Sequence, residues 1–483
     1  MPLFDLMSLL SAAEVLAGEA VQVEGLAYDS RKVGPKDAFF CIPGLQSDGH
    51  DFAREAVSRG AAALVVTRRL AEFAHVPQIL VADARKALAV AAAVFYGSPS
   101  RGLSIVGVTG TNGKTTTTYL VDSILRHSGL ATGLIGTVET RIRENAIPAE
   151  RTTPESLDLQ RLLAQMSAEG VEAVAMEVSS HAIDLGRVDA VSFAVAAFTN
   201  LTQDHLDYHG SMEAYGAVKL RLFTELEVAK RVINIDDPVG VSFAAAVDDP
   251  LTVGTSADAV IRATEVELMP DASRFVLSTP SGQATVTLPI AGAYNVSNAL
   301  VAAGCAYALG IPLADIAAGL AHATQVPGRL ERVSAGQPFS VFVDYAHTPD
   351  SLRQVLEAIK RVTPGRVIAV FGCGGDRDPA KRPLMGEAAS AVADHAIITS
   401  DNPRTEDPNA IIAQILPGMS VGGATYQVEV DRRRAIASAL ATAGPNDSVL
   451  IAGKGHEDYQ IFADKTVHFD DREVAFEELS ARC

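Results

Sequence analysis

The chain lacks any apolar run long enough to cross a bilayer: the longest, 88–96, falls well short of the roughly 20 residues a spanning helix needs, and reads as a buried helix. No membrane insertion is expected. The N-terminal stretch carries Asp5 and Glu14 and has no early basic cluster, so a secretion signal is not expected either. Cysteine is sparse and scattered. Cys41, Cys305, Cys373 and Cys483 show no CxxC spacing, which argues against a disulfide framework and a zinc knuckle and fits a reducing cytoplasm. Positive charge is in deficit: 40 Lys and Arg against 58 Asp and Glu give a net charge of −18, which speaks against a nucleic-acid surface. An anionic ligand must therefore be held by local groups.

What is present is an Ala- and Val-rich globular composition, 48% hydrophobic and 20% charged in 483 residues, enough for about three domains. The chain is organised around the turn Gly110-Thr111-Asn112-Gly113-Lys114-Thr115-Thr116, between the β-branched run 104–108 and a helical pattern at 119–125. Gly110 and Gly113 let main-chain N–H groups approach an anion at a helix N-terminus. Lys114 supplies a cation for terminal phosphates, and Thr115 a hydroxyl for a Mg²⁺ ion bridging them. Val108 stands where the general phosphate-loop pattern has its first Gly, so the loop is a shortened variant.

Before the loop, strands at 21–28, 38–42, 63–67 and 79–81 alternate with helices at 51–59 and 84–96, a small α/β domain. Its polar stretches at 28–31 and 44–50 read equally well as surface loops. A break at Gly97-Ser98-Pro99-Ser100 marks a boundary near residue 100. From 101 to 326 the spacing predicts strands at 134–137, 173–178, 193–199 and 231–235, with a helix at 155–169, hence a parallel sheet. Strands at 260–268, 273–278 and 284–288 lack intervening helices and read as an antiparallel addition, followed by a helix at 296–309. From 327 to 483 the alternation resumes: strands at 340–344, 366–371, 395–399, 426–429 and 449–452 and helices at 349–361, 381–392, 409–416 and 432–443, a Rossmann-like pattern. Ligands of open α/β sheets sit at strand carboxyl ends. Polar stretches lie there after Glu177, around His205, at 344–349, at 372–378, at 400–404 and at 453–457.

Gly110-Thr111-Asn112-Gly113-Lys114-Thr115, the Glu177 strand end, Asp204-His205-Leu206-Asp207-Tyr208-His209-Gly210, Asp344-Tyr345-Ala346-His347 and Gly374-Gly375-Asp376-Arg377-Asp378 together resemble the Mur ligases of peptidoglycan synthesis. The resemblance runs in the expected order over essentially the whole chain. One motif alone would also fit folylpolyglutamate synthetase or a lysine-adding ligase. A P-loop kinase, or a regulatory module that binds nucleotide without ligation, are the readings from other classes.

The resemblance implies a domain for the UDP-muramyl substrate (1–100), a central ATP-binding domain (101–326) and a C-terminal amino-acid domain (327–483), in a cytoplasmic monomer. It implies that ATP phosphorylates the D-glutamate side-chain carboxylate of UDP-N-acetylmuramoyl-L-alanyl-D-glutamate and that the amine of meso-2,6-diaminopimelate attacks the acyl phosphate. By the same resemblance Lys114, Lys219, Glu177 and His205 are catalytic, with Thr115, Glu177 and His205 holding Mg²⁺ and Lys219 carbamylated. Gly110 to Thr116, Asn295, Asn298, Arg329 and Asp344 reach ATP, although Asn295 and Asn298 also suit a helix N-cap. Ser30, Thr152, Thr153, Ser179 and Arg187 match positions for the nucleotide-sugar substrate. Arg377, Asp401, Asn402, Pro403, Arg404, Gly453 and Glu457 match positions for diaminopimelate.

Overall fold

The computed structural model describes residues 14–16, 21–44 and 47–482; Asp5, Cys483 and part of the predicted 44–50 loop lie outside them. The chain forms two compact units, the first from the described residues of Met1–Thr109, Leu130–Ala197 and Ala217–Arg231, the second from those of Gly110–Gly129, Phe198–Gly216 and Val232–Cys483.

In the first unit, β1 (Glu14–Leu16), β2 (Gly25–Ala27), β3 (Asp37–Phe40), β4 (Ala63–Val66) and β5 (Gln78–Leu80) form a sheet in the order β1-β5-β4-β3-β2. It is parallel except for β1. Adjacent residues feed opposite faces: Phe40 and Val65 pack with Leu88 and Leu157, whereas Phe39 and Leu64 pack with Ala53 and Phe73. Both faces are thus buried, as a parallel sheet requires. The helix expected at 51–59 opens as a 3₁₀ turn, Gly49–Phe52, before Ala53–Ser58. The helix Ala84–Phe95 is capped by Asp83, whose carboxylate accepts from the N–H of Arg85 at 2.8 Å.

A second sheet in this unit contains β6 (Ser104–Thr109), β7 (Thr132–Ile135), β8 (Glu139–Ile142), β9 (Asn145–Pro148), β10 (Ala173–Glu177) and β11 (Phe193–Phe198), ordered β11-β6-β10-β7-β8-β9. β10 runs parallel to both β6 and β7, as the alternation predicts. The antiparallel hairpin β8–β9 was not expected from the sequence: β9 is exposed along its length and ends in Pro148, so no apolar period marks it.

In the second unit, β12 (Val228–Asn234), β13 (Leu251–Gly254) and β14 (Ile261–Leu268) are parallel, and β15 (Ser273–Thr279) and β16 (Gly282–Leu288) continue antiparallel; of the three strands expected as an antiparallel addition, β14 thus joins the sheet in parallel and only β15 and β16 extend it antiparallel. The helix that opens at Lys114 packs on Ala293–Ala308 and on Leu313–Ala321, so closely that a Cβ on Gly319 would lie 2.5 Å from the Cα of Ile124.

The same unit holds a six-stranded sheet of β17 (Glu331–Arg332), β18 (Ser340–Asp344), β19 (Val367–Phe371), β20 (His395–Ile398), β21 (Thr425–Val428) and β22 (Ser448–Ala452), ordered β17-β18-β22-β19-β20-β21 and parallel apart from β17. Phe342, Ala369, Phe371 and Leu450 meet the helices Pro349–Val362, Lys381–Val392 and Pro408–Met419 on one face. Val341, Val343, Ile368 and Ile451 meet Arg432–Thr442 and Asp471–Ser480 on the other. The chain leaves the adjacent strands β18 and β22 toward opposite faces, and it is beyond the carboxyl ends of strands so arranged that ligands of open α/β sheets sit.

One buried ion pair ties that edge together. Arg432 and Asp471 are both fully buried; the guanidinium meets the carboxylate at 2.7 and 2.8 Å and also donates to the carbonyls of Ser400, after β20, and Ala452, ending β22. Removing one partner leaves a buried uncompensated charge, at a cost of about 3–5 kcal/mol. Asp471→Ala is therefore expected to lower the unfolding midpoint of this part of the chain markedly in a denaturant titration followed by hydrogen exchange in β20 and β22. An unchanged midpoint would count against it.

Candidate active site

In the second unit the loop after β6 enters the helix Lys114–His127 with no side-chain cap, Gly113 standing at the N-cap with φ +83°. Both glycines are required by space as well. A Cβ on Gly110 would strike the Thr199 hydroxyl, and one on Gly113 would strike the Asn298 carboxamide. The segment after β11 fixes the loop. Asn200 accepts from the N–H of Thr111 (2.8 Å, through its main-chain carbonyl) and of Asn112 (2.9 Å, through its side chain), and Thr199 donates to the Asn112 carbonyl at 2.7 Å. Lys114 Nζ folds onto the carbonyls of Gly110 (3.0 Å) and Thr111 (2.7 Å). Uncapped N–H groups and a lysine on one glycine-rich turn make an anion site.

Asn295 and Asn298 are buried and joined, with Asn298 Nδ2 donating to Asn295 Oδ1 at 3.1 Å and Asn295 Nδ2 to the Ala291 carbonyl at 2.8 Å. The N-cap of their helix is Gly292, so neither asparagine caps it. Arg329 Nη2 donates to the hydroxyl of Thr115 at 3.0 Å, its guanidinium stacks 4.5 Å from the ring centre of Tyr345, and its Nε is buried with no hydrogen-bond partner among the described residues. Asp344 accepts from the N–H of Leu330 (2.6 Å) and Ala346 (2.7 Å), holding the turn that carries Arg329; burial pushes its carboxyl up, with Arg329 opposing. His205, at φ +53°, is half exposed beside Asp204 at 3.4 Å, and Tyr215 links it to the loop, 6.4 Å ring to ring on one side and 3.3 Å from the Thr111 hydroxyl on the other. Burial alone would raise the Asp204 carboxyl, yet His347, His205 and Lys114 hold it below its ordinary value.

At the carboxyl edge of the C-terminal sheet, Asn402 Nδ2 donates to Glu457 Oε2 at 2.9 Å. Arg404, in the left-handed region at φ +52°, donates through Nη1 to the Gly375 carbonyl at 2.7 Å, and its own N–H is bound by Ile461 at 3.0 Å. Asp401 is buried, Pro403 closes on Gly375, and Gly453 needs its φ of +117° and its missing Cβ because Asp401 lies against it. Arg377 is exposed, its guanidinium turned to the carbonyl of Asp376 at 3.0 Å. Burial pushes the Glu457 carboxyl up, with Lys454 opposing. A guanidinium and a carboxylate at one strand edge suit a zwitterion.

In the first unit Thr152, Thr153, Glu177, Ser179 and Arg187 form one network. The buried Glu177 carboxylate accepts from Thr137, by N–H at 2.7 Å and hydroxyl at 3.0 Å; that hydroxyl meets Thr152 at 3.0 Å. Thr153 donates to the Glu177 carbonyl at 2.8 Å and accepts from the Ser179 N–H at 3.2 Å, and Arg187 donates to the Thr153 carbonyl at 3.1 Å. Arg187 also pairs with Glu155 at 2.8 Å, which holds Arg151 (2.7 Å) and Arg85 (3.6 Å) as well. Ser30 stands apart from these, bonded to Glu55 at 2.7 Å, but lines the same cavity of about 850 Å³ as Arg151 and Glu155. Lys219, on the helix Met212–Thr224, is fully buried rather than solvated. Sequence reasoning missed Thr137, Glu155 and Lys454. Thr137 had a signal, being the polar residue just past β7; Lys454 had none beyond lying in the polar stretch 453–457, and Glu155 none beyond opening the predicted helix at 155–169.

Among the described residues no group of three or more His, Cys, Asp or Glu gathers as a metal site. Within the second unit, the Thr115 hydroxyl and the His205 imidazole are donors that suit Mg²⁺ carried in with nucleotide phosphates, an ion that takes few protein ligands and keeps the rest as phosphate or water.

The glycine-rich loop, the parallel sheets and the polar strand ends define a three-domain α/β nucleotide-binding protein. Residues 22–96 match the model described as Mur ligase family, catalytic domain; 108–306 the Mur ligase middle domain; and 328–455 the Mur ligase, glutamate ligase domain. The chain is 47% identical over 483 residues to a UDP-N-acetylmuramoyl-L-alanyl-D-glutamate–2,6-diaminopimelate ligase of Geobacillus thermodenitrificans, covering 98% of each. It is 49% identical over 465 residues to the protein of that name from Gloeobacter violaceus, covering 96% of this chain and 95% of the relative. A solved structure of a ligase so named is 33% identical, with a TM-score of 0.69 and 95% of each chain covered. The chain belongs to the Mur ligase family.

Proposed function

We propose that the chain is an ATP-dependent, ADP-forming ligase that joins meso-diaminopimelate to the D-glutamate side-chain carboxylate of UDP-N-acetylmuramoyl-L-alanyl-D-glutamate, in the cytoplasmic synthesis of peptidoglycan precursors. Residues 1–100 bind the nucleotide-sugar end, 101–326 bind ATP and 327–483 bring the amino acid, in a monomer. A carboxylate resists attack by an amine because oxide is a poor leaving group. Phosphorylation supplies a better one, and charge on the transferring group is then the main burden.

Lys114, the loop N–H groups and Arg329 answer that charge with preorganised donors. Mg²⁺ held by Thr115, Glu177 and His205 would neutralise phosphate charge. Lys219 as a carbamate supplies an anion from a buried position. Asn295, Asn298 and Asp344 serve the nucleoside, and Ser30, Thr152, Thr153, Ser179 and Arg187 the muramyl substrate. Arg404, with Asn402 beside it, takes the distal carboxylate of diaminopimelate, Glu457 takes an ammonium group, and Arg377, Asp401, Pro403 and Gly453 complete the pocket. The observation that supports this reading best is the meeting of Asn402 and Glu457 at 2.9 Å beside Arg404, a cation and an anion set at the ends of β20 and β22.

Phosphate release is the direct test. It is expected only when ATP, the UDP-muramyl dipeptide and meso-diaminopimelate are all present. ADP formation with the phosphate retained on a stable acceptor points to a kinase, and nucleotide binding without turnover to a regulatory module; either result overturns the proposal.

A further inference from the structure

We propose that Lys454 is a positioning residue for the amino-acid substrate: its buried ammonium fixes Asn402 and Glu457 so that the Glu457 carboxylate faces a substrate ammonium. The proposal rests on the reading above, that this strand edge takes meso-diaminopimelate.

Lys454 follows β22 between two glycines in the left-handed half of conformational space, Gly453 at φ +117° and Gly455 at φ +55°. The turn has no room to give, since a Cβ on Gly455 would lie 2.7 Å from the Cβ of Tyr345 and 2.8 Å from the Gly328 carbonyl. Its side chain is fully buried. A lysine in a chain of net charge −18 has ample surface on which to be solvated, so burial of the ammonium needs dedicated acceptors. Three are in reach: the carbonyl oxygen of Tyr459, Asn402 Oδ1 at 3.4 Å and Glu457 Oε2 at 3.4 Å. An ammonium has three donors, so the set is complete and none remains for a ligand. Lys454 therefore acts through its neighbours.

The consequence for Asn402 is orientation. Its Oδ1 accepts both from Lys454 and from the N–H of Ile461, at 3.0 Å, which leaves Nδ2 to face Glu457 at 2.9 Å. Glu457 Oε2 thus receives two donors, one of them cationic. Burial works against its charge, and Asp401 adds a second like charge nearby; Lys454 and Asn402 work the other way. Without Lys454, Asn402 has less reason to keep its amide orientation and Glu457 loses its counter-charge.

The test is a cycle on the full-length protein. Lys454→Met keeps most of the length of the side chain and removes the charge. It is expected to raise the KM for meso-diaminopimelate at least about tenfold while leaving the KM for ATP and for the UDP-muramyl dipeptide within about twofold. In a Glu457→Gln background the same substitution is expected to change the amino-acid KM less than about threefold, because the group it acts through is gone. Equal losses in both backgrounds would mean that Lys454 only braces the segment at Tyr459, and an unchanged KM in the single variant would mean that it does nothing for the substrate; either overturns the proposal. Should Lys454→Met fail to fold, Lys454→Gln, which also removes the charge but keeps a polar end for the Tyr459 carbonyl, carries the same comparison, with the same two outcomes deciding. Refusal of meso-diaminopimelate by the unmodified protein would overturn the reading beneath the proposal, and the proposal with it.

Discussion

Arg404→Ala is expected to erase most of the preference for meso-diaminopimelate over lysine. A site built to bind a polar group rejects an analogue lacking it by roughly 10⁴ to 10⁵, because its own polar atoms are left unpaired. Diaminopimelate differs from lysine by a second carboxylate on the distal carbon. Arg404 spends Nη1 on the Gly375 carbonyl, and its main chain is pinned by Ile461, so the guanidinium is aimed before any ligand arrives. A planar guanidinium grips a carboxylate through two parallel bonds. Alanine at this position leaves the Asn402–Glu457 pair in place, and the variant should distinguish the two amino acids by no more than about tenfold. Comparing kcat/KM for both in both proteins decides the matter; comparable values in the unmodified protein would refute the role given to Arg404.

Lys219→Ala is expected to cost ligation a factor of about 10³ or more, as the loss of a preorganised charge in an active site commonly does. Lys219 is fully buried on its helix, and a buried ammonium is costly. Addition of carbon dioxide to the amine, with loss of a proton, replaces that cation by a carbamate anion. Short carboxylates such as formate or acetate should then partly restore the alanine variant by entering the vacated space. Nucleotide binding and the unfolding midpoint, measured alongside, separate loss of the group from loss of the fold. Full activity in Lys219→Ala without additive would sink the carbamate assignment.

The fold was largely legible because strands and helices of a doubly wound sheet carry their own periods. The helix at 381–392 and the strand at 340–344 were read to the residue, since each is a short apolar pattern closed by polar or glycine-rich turns. The hairpin at β8–β9 was not, because a solvent-exposed strand has no buried face to announce it. In the candidate site, the loop at Gly110 to Thr116 and the strand ends were visible as motifs. The bonds that join Thr137, Thr152, Thr153 and Glu177 were not, as they connect positions brought together only by the order of β7 and β10 in the sheet. Lys454 and Arg432 were invisible for a further reason. Long charged side chains belong at the surface by default, and only tertiary acceptors, such as Asp471 at 39 residues' distance from Arg432, reveal that these two are inside.

The pair of Arg432 with Asp471 has a meaning for how this pocket can be altered. One guanidinium grips the carbonyl of Ser400 and that of Ala452, so the two turns that bear Asn402 and Glu457 share a single rigid hinge pin and cannot be reshaped separately. Arg404 bonds instead to the carbonyls of Gly375 and Ile461, neither of which Arg432 holds. A designer who wishes to change which amino acid is accepted should therefore leave the two turns that Arg432 joins and vary Arg404, the group proposed for the distal carboxylate that tells diaminopimelate from lysine.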